Sequence, residues 1–217
     1  MDSKIVLIGT GHVFDLKEKL RGVIEEEMPD AIALELDIER ASALLNAKKD
    51  KVPLFYLLLS KVQNAIAHKF GVKSGGEMLT AMKVAKELDV PILYIDMNAR
   101  EVIIKLWNSM TLKRKIVMLL SSFLSLFWRK EKIEKEIKKF EENSEKFTEE
   151  MEKHFPEIKK ILIDERNEYM ARKLKDFAEK YNKIVAVVGE GHVNGLENLL
   201  KDFAELKIIH LSQLMSQ

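Results

Sequence analysis

Apolar residues follow two rhythms along this chain. Short β-branched runs end abruptly at glycine or acidic residues. Ile5-Val6-Leu7-Ile8 stops at Gly9-Thr10-Gly11, Ala31-Ile32-Ala33-Leu34-Glu35-Leu36 follows Met28-Pro29-Asp30, Val90 to Asp96 forms a third run, and Ile184 to Val188 stops at Gly189-Glu190-Gly191-His192. Runs this short and apolar are the pattern of strands buried on both faces. Between them the apolar spacing changes to three and four, predicting helices over 16–27, 39–48, 54–70 and 77–88, with a loop over 71–76. Residues 5–36 read as strand–helix–strand, which predicts a parallel pair joined by a right-handed crossover. A helix near 196–205 and an edge strand over 207–211 are expected after the second glycine turn.

From Arg100 to Tyr181 the strand pattern stops and helix is expected almost throughout. Within it Ile133, Ile137, Phe140, Ser144, Phe147, Met151 and His154 recur at alternating steps of four and three in a charged background, a heptad seam. At ~1.5 Å per residue the 129–154 segment would be a rod on the order of 40 Å long. It should pack on one neighbour, either the apolar 106–128 helix in a hairpin or the same helix of a second subunit, which would make a homodimer. The expected architecture is α/β: one domain over 1–217, with a central, mostly parallel sheet flanked by helices and a charged helical excursion over 105–157 inserted before the last strands.

Composition narrows the function classes. The 217 residues carry 36 Lys and Arg against 35 Asp and Glu, a formal charge of +1 that leaves no surplus field for nucleic acid. With no cysteine, disulfides, thiolate metal sites and a cysteine nucleophile are excluded, so any metal must use His and carboxylate. Met1-Asp2-Ser3-Lys4 has no basic leader or apolar signal region, and the apolar stretch 116–128 falls short of the ~20 residues a membrane-spanning helix needs. A cytoplasmic protein with no membrane span is expected.

Chemistry concentrates in an internal echo. Val6-Leu7-Ile8-Gly9-Thr10-Gly11-His12-Val13 and Ala186-Val187-Val188-Gly189-Glu190-Gly191-His192-Val193 place G-x-G-H-V at the end of an apolar strand twice, using two of five histidines. In open α/β sheets ligands bind beyond the carboxyl ends of the strands, where both turns must lie. A single G-x-G-H would be an ordinary tight turn; duplication favours convergence on one crevice. A dinucleotide site is disfavoured, because Phe14 and Asn194 stand where the third fingerprint glycine belongs. Glu35 occupies a position where a buried strand should be apolar, so it is either paired, with Arg40 as the nearest cation, or functional. Asp96, at the end of the third run, and Glu77, after Gly75-Gly76, are weaker candidates, and a helix-initiating role accounts for Glu77. Glu165, in Asp164-Glu165-Arg166-Asn167, is spaced i+4 from Ile161 and i+3 from Leu162, which predicts that it faces the core. His68, His154 and His210 have bland readings as helix-end, seam and edge-strand residues. H-E-x-x-H and G-x-S-x-G are absent.

Taken in order, Gly9-Thr10-Gly11-His12-Val13, Leu34-Glu35-Leu36-Asp37 with Arg40, Gly76-Glu77-Met78, Asp164-Glu165-Arg166-Asn167 and Gly189-Glu190-Gly191-His192-Val193-Asn194-Gly195 resemble the TraB/PrgY family. That family is related to the Tiki membrane proteases and more distantly to erythromycin esterases and ChaN-like haem-binding lipoproteins, and its pheromone-shutdown members reduce the activity of a secreted peptide pheromone. The resemblance implies a shared α/β fold, a site built around the two histidines and the glutamate, and, from the Tiki branch, metal-dependent peptidase activity. His12, His192 and Glu35 would then hold a divalent ion (Mn, Co or Zn), with Glu165 or Glu77 as general base, Arg40 or Arg166 steadying an oxyanion, and Gly9, Gly11, Gly189, Gly191 and Asp96 shaping the loops around a peptide or small-molecule substrate. Two alternatives stay open: a metal-free hydrolase in which one His acts as base oriented by Glu35, and a peptide-sequestering protein that assembles through its helical rod. The chain departs from the family in carrying Asp96-Met97, with Arg100 three residues on, where many relatives have Asp-Arg. Several relatives continue into C-terminal membrane helices, so a soluble member or the soluble domain of a longer membrane-associated protein is expected.

Overall fold

The computed structural model describes residues 3–11, 16–46, 75–112, 115, 152–153 and 155–216. The expected helix over 54–70, the heptad seam, most of the 105–157 excursion with its dimer role, and His12 lie outside the described residues.

Five parallel strands form one sheet: β1 (Lys4–Thr10), β2 (Ala31–Leu34), β3 (Ile92–Tyr94), β4 (Lys183–Gly189) and β5 (Glu205–Ile209), in the order β3-β2-β4-β1-β5. The α/β class and the parallel sheet are as expected from the apolar runs. One pairing is not. β1 and β2 share the sheet, but β4 lies between them and bonds to both. Local alternation marks a strand without ranking its neighbours, and β4 aligns seven residues with β1 along its full length, Lys4 opposite Lys183 through Thr10 opposite Gly189, six of those in β4 apolar or small.

Both faces of the sheet are apolar, and strand alternation sends successive residues to different layers. Val6, Ile8, Ile32, Leu34, Val185 and Val187 pack under α1 (Lys17–Glu27) and α3 (Gly76–Glu87), with α2 (Ile38–Asn46) and the C-terminal α8 (Leu211–Ser216) on the same side. Ile5, Leu7, Ala31, Ala33, Ile184, Ala186 and Val188 pack on the other side under α6 (Glu165–Ala178) and α7 (Glu190–Leu200). A third cluster joins α4 (Ala99–Ser109), through Val102 and Leu106, to Ile161. The crossover through α1 leaves β1 toward β2, and the crossover through α7 leaves β4 toward β5 on the opposite face. Adjacent central strands thus send their connections in opposite directions, the topology in which open α/β sheets bind ligands beyond the carboxyl ends of the strands.

Three local findings bear on that end of the sheet. Gly189-Glu190-Gly191-His192 is not a turn followed by a later helix: α7 begins at Glu190, directly after β4, so His192 sits in its first turn. The helix Pro156–Lys159 (α5) runs into a π-helical turn over Lys160–Asp164 before α6 resumes ordinary winding. The last strand lies two residues earlier than the sequence pattern places it, and the short helix α8 follows it.

Candidate functional site

Glu35 is the first residue beyond β2, and everything around it arrives from other elements. Its Oε2 accepts the backbone N–H of Gly189 at 2.6 Å, and its Oε1 is paired with Nη2 of Arg166 and lies 3.3 Å from Nε2 of His192. Arg166, near the start of α6, also donates from Nε to Asp96 Oδ1 at 3.0 Å, from Nη2 to Asp96 Oδ2 at 2.8 Å, and from Nη1 to the carbonyl of Leu162 at 3.1 Å. Arg40 in α2 links the same Asp96 to Asp37, giving Nη2 to Asp96 Oδ2 and Nε to Asp37 Oδ2. At the other end, Nδ1 of His192 is 2.7 Å from Oδ1 of Asn167. Asp37, Arg40, Asp96, Arg166, Glu35, His192 and Asn167 therefore form one continuous chain of contacts, alternating in sign from Asp37 to Glu35, across the ends of β2, β3 and β4.

Charge alternation sets the protonation of this chain. Burial pushes the Glu35 carboxyl up, but the neighbouring His192 ring and Arg166 guanidinium, with hydrogen bonds from His192 and from the Gly189 N–H, outweigh it and hold the group well below the usual carboxylate range. Asp37 is likewise held low: its burial is outweighed by the backbone N–H and guanidinium of Arg40 and by the Ala99 N–H. Arg40 and Arg166 are raised despite burial, the first by Asp96 and Asp37, the second by Glu35 and Asp96. The site is thus an ionised lattice in which each buried charge has an opposite neighbour, the condition for burying charges at all.

Of the residues singled out in the sequence, the structure brings together Glu35, Arg40, Asp96, Arg166, His192 and Gly189. Gly9 lies one residue before the end of β1 and Gly11 just beyond it, while Gly191 is the second residue of α7. Glu77 is buried in the first turn of α3, in the layer on the opposite side of the sheet from α6 and α7. Glu165 turns to α4, where it pairs with Lys105 at 2.6 Å. The π turn explains the difference between Glu165 and its neighbours. A turn that closes on the fifth residue adds one residue per turn, so the phase extrapolated from Ile161 and Leu162 slips, and Arg166 and Asn167 take the inward face.

Asn167 has a role that the sequence does not announce. It is buried, and it reaches His192 only because Gly195 of α7 has no side chain; a Cβ there would fall 2.0 Å from Asn167 Nδ2 and 3.0 Å from its Cγ. Gly195→Ala should therefore cost stability although alanine favours a helix by about 0.8–1 kcal/mol. We expect a net loss of about 1–2 kcal/mol in urea unfolding, together with a shifted ¹⁵N signal for His192 Nδ1, because Asn167 must move. An unmoved signal would refute the coupling.

The donor set tests whether a divalent ion fits. Ligands about 2.1 Å from a tetrahedral ion sit about 3.4 Å apart, close to the 3.3 Å between His192 Nε2 and Glu35 Oε1. The Nδ1 contact to Asn167 is of the kind that would orient the imidazole if His192 held an ion. Among the described residues no group of three such side chains forms a complete ligand set, and the third expected ligand, His12, lies outside them. Nor is any helix among the described residues long and apolar enough to cross a membrane.

Comparison with known proteins finds similarity over nearly the whole chain. An uncharacterized protein of Methanocaldococcus jannaschii is 32% identical over 233 aligned positions, covering 97% of this chain and 57% of the relative, so the chain spans little more than half the length of the curated protein it matches. The TraB/PrgY/gumN family profile matches residues 1–208, and by that match the chain belongs to the TraB/PrgY/gumN family.

Proposed function

We propose that this chain is a hydrolase of peptide or related acyl bonds whose centre is the Glu35–His192 pair. One observation carries the reading. If Nδ1–H is donated to Asn167, a neutral His192 turns a bare Nε2 lone pair toward a carboxylate oxygen 3.3 Å away, an arrangement that a positive charge between the two atoms would stabilise. A divalent ion held by His192, Glu35 and His12 supplies that charge in the first reading. Such an ion acidifies water and polarises a carbonyl. The residues of this chain do the rest: Asn167 holds the imidazole in the ligating tautomer, Arg166 and the Gly189 N–H fix the Glu35 carboxylate, and Asp96 fixes Arg166.

A second reading is favoured by Arg166, whose guanidinium already rests on Glu35 Oε1. Three carboxylates (Glu35, Asp37, Asp96) against two guanidinium groups (Arg40, Arg166) leave one negative charge, which a single proton on His192 neutralises. The imidazole would then work as a metal-free acid–base group oriented by Glu35.

Metal content separates the two. In protein purified without metal-affinity resin, the first reading expects about one bound divalent ion per chain, lost in His12→Ala and His192→Ala, and hydrolysis of a peptide and ester panel abolished by chelator. Equal metal content in all three proteins sinks the metal reading, and chelator-resistant hydrolysis establishes the second. Absence of turnover on every member of the panel, metal-loaded or not, would remove both.

A further inference from the structure

A second histidine–carboxylate pair stands at the same rim, outside the Glu35 lattice. His210 follows β5 directly; its Nδ1 is 2.8 Å from Oε1 of Glu190, whose Oε2 accepts the Leu211 N–H at 2.9 Å. Glu190 is the first residue of α7, two before His192. Its carboxylate is enclosed, whereas the His210 side chain is 36% exposed. The carboxylate lies over Gly9, where a Cβ would fall 2.0 Å from Oε2 and 3.0 Å from Cγ2 of Val193. Each pair joins one strand-end residue to one residue from the first turn of α7, with the chemistry exchanged: Glu35 with His192 on one side, His210 with Glu190 on the other.

Sheet register places the two pairs on one line. Leu34, Val187, Ile8 and Ile209 are aligned across β2, β4, β1 and β5, and all four pack into the same layer. The residues that follow them, Glu35, Val188, Gly9 and His210, belong to the opposite face, the one under α7. Three strand spacings put Glu35 and His210 about 14 Å apart at the backbone, about four residues of extended chain. That is too far for His210 to serve the bond at Glu35 and His192, and a suitable distance for a neighbouring part of an extended substrate.

We propose that His210, oriented by Glu190, is a substrate-binding group that accepts a backbone N–H of a peptide whose scissile bond lies at Glu35 and His192. With Nδ1–H given to Glu190, the ring presents the Nε2 lone pair away from the carboxylate, as an acceptor backed by a negative charge. The substrate class is then an extended peptide, with an N–H requirement about four residues from the cleaved bond. This deepens the hydrolase reading, and its kinetic arm rests on that reading.

The test uses N-acetylated alanine peptides of increasing length and an ester-for-amide analogue that lacks the N–H at the position facing His210. For the full chain carrying His210→Ala we expect KM to rise about tenfold, with kcat changed less than twofold, the rise growing with peptide length. The analogue should cost the unsubstituted protein a similar factor and the His210→Ala protein nothing. Gly9→Ala, which displaces Glu190, should give the same length-dependent rise. Loss that is equal at every length, or that falls on kcat, indicates a merely structural clamp and overturns the proposal. Should the unsubstituted protein cleave no peptide, the hydrolase reading fails, and ¹⁵N-histidine spectra decide this proposal by themselves: the His210 Nε2 signal must move with the longer peptides and not with N-acetylalanine, and no movement at any length refutes it.

Discussion

Arg166→Met should lower the stability of this protein by about 3–5 kcal/mol, the cost of stranding buried carboxylates whose cation has been removed. Among the described residues the guanidinium is the one group that touches both Asp96 and Glu35, and all three side chains are at least 85% shielded from solvent, with exposures of 15%, 2% and 11%. Deleting it leaves Glu35 without a guanidinium and Asp96 with Arg40 alone, facing each other across a gap that an apolar side chain fills but does not neutralise. Urea unfolding reads the loss as a lower midpoint at unchanged slope. Arg166→Lys should recover only part of it, because a single ammonium cannot reproduce a planar fork that donates to Asp96 twice, to Glu35 and to the Leu162 carbonyl together. A midpoint within error of the unsubstituted protein would show that the lattice contributes nothing to the fold.

Glu35→Gln should have its larger effect on chemistry. The amide keeps the shape of the carboxylate and an acceptor for the Gly189 N–H, but it removes the negative charge that His192 faces, so hydrolysis should fall by about 10²–10⁴ in kcat/KM. The same substitution reports on acid stability. Since the folded-state value of Glu35 lies well below the ordinary 4.5, the unfolded chain binds more protons at low pH, and the contribution of Glu35 is complete above about 4.5 and lost as pH falls through the folded-state value. Asp37 acts in the same direction from its ordinary 3.8. Glu35→Gln should therefore be less stable at neutral pH and show a shallower decline below pH ~4.5. An acid-unfolding profile parallel to that of the unsubstituted protein would assign the acid sensitivity elsewhere.

How far the sequence discloses this site depends on the range of the interaction involved. β1, β2 and β4 are legible because each is a continuous apolar run buried on both faces, and Glu35 stands out as a charge at the end of one of them. The third run is read as extending over 90–96, whereas only Ile92–Tyr94 pairs as strand; Pro91 cannot donate to a ladder, and Asp96 turns away to meet two arginines. The helix α8, Leu-Ser-Gln-Leu-Met-Ser, is too short to show a period. Glu165 leaves the inward face expected for it, and Arg166 and Asn167 take that face, because a residue added by the π turn leaves no mark in composition. Glu190 and His210 stand twenty residues apart without a motif, and only the docking of β5 beside β1 makes them neighbours.

The interleaving of β4 between β1 and β2 also governs the order of assembly. Ile5 and Ala31 both wait for Ile184, so the two N-terminal strands have no bonded partner in each other when they are synthesised. The centre of the sheet is closed last, by the segment that brings His192, and the late pairing of such distant positions predicts slow folding for the size of the chain. A nascent chain that has not yet emitted residue 184 can pair β2 with β3 but holds β1 without either of its strand partners and β2 open on its inner edge, the state most exposed to aggregation.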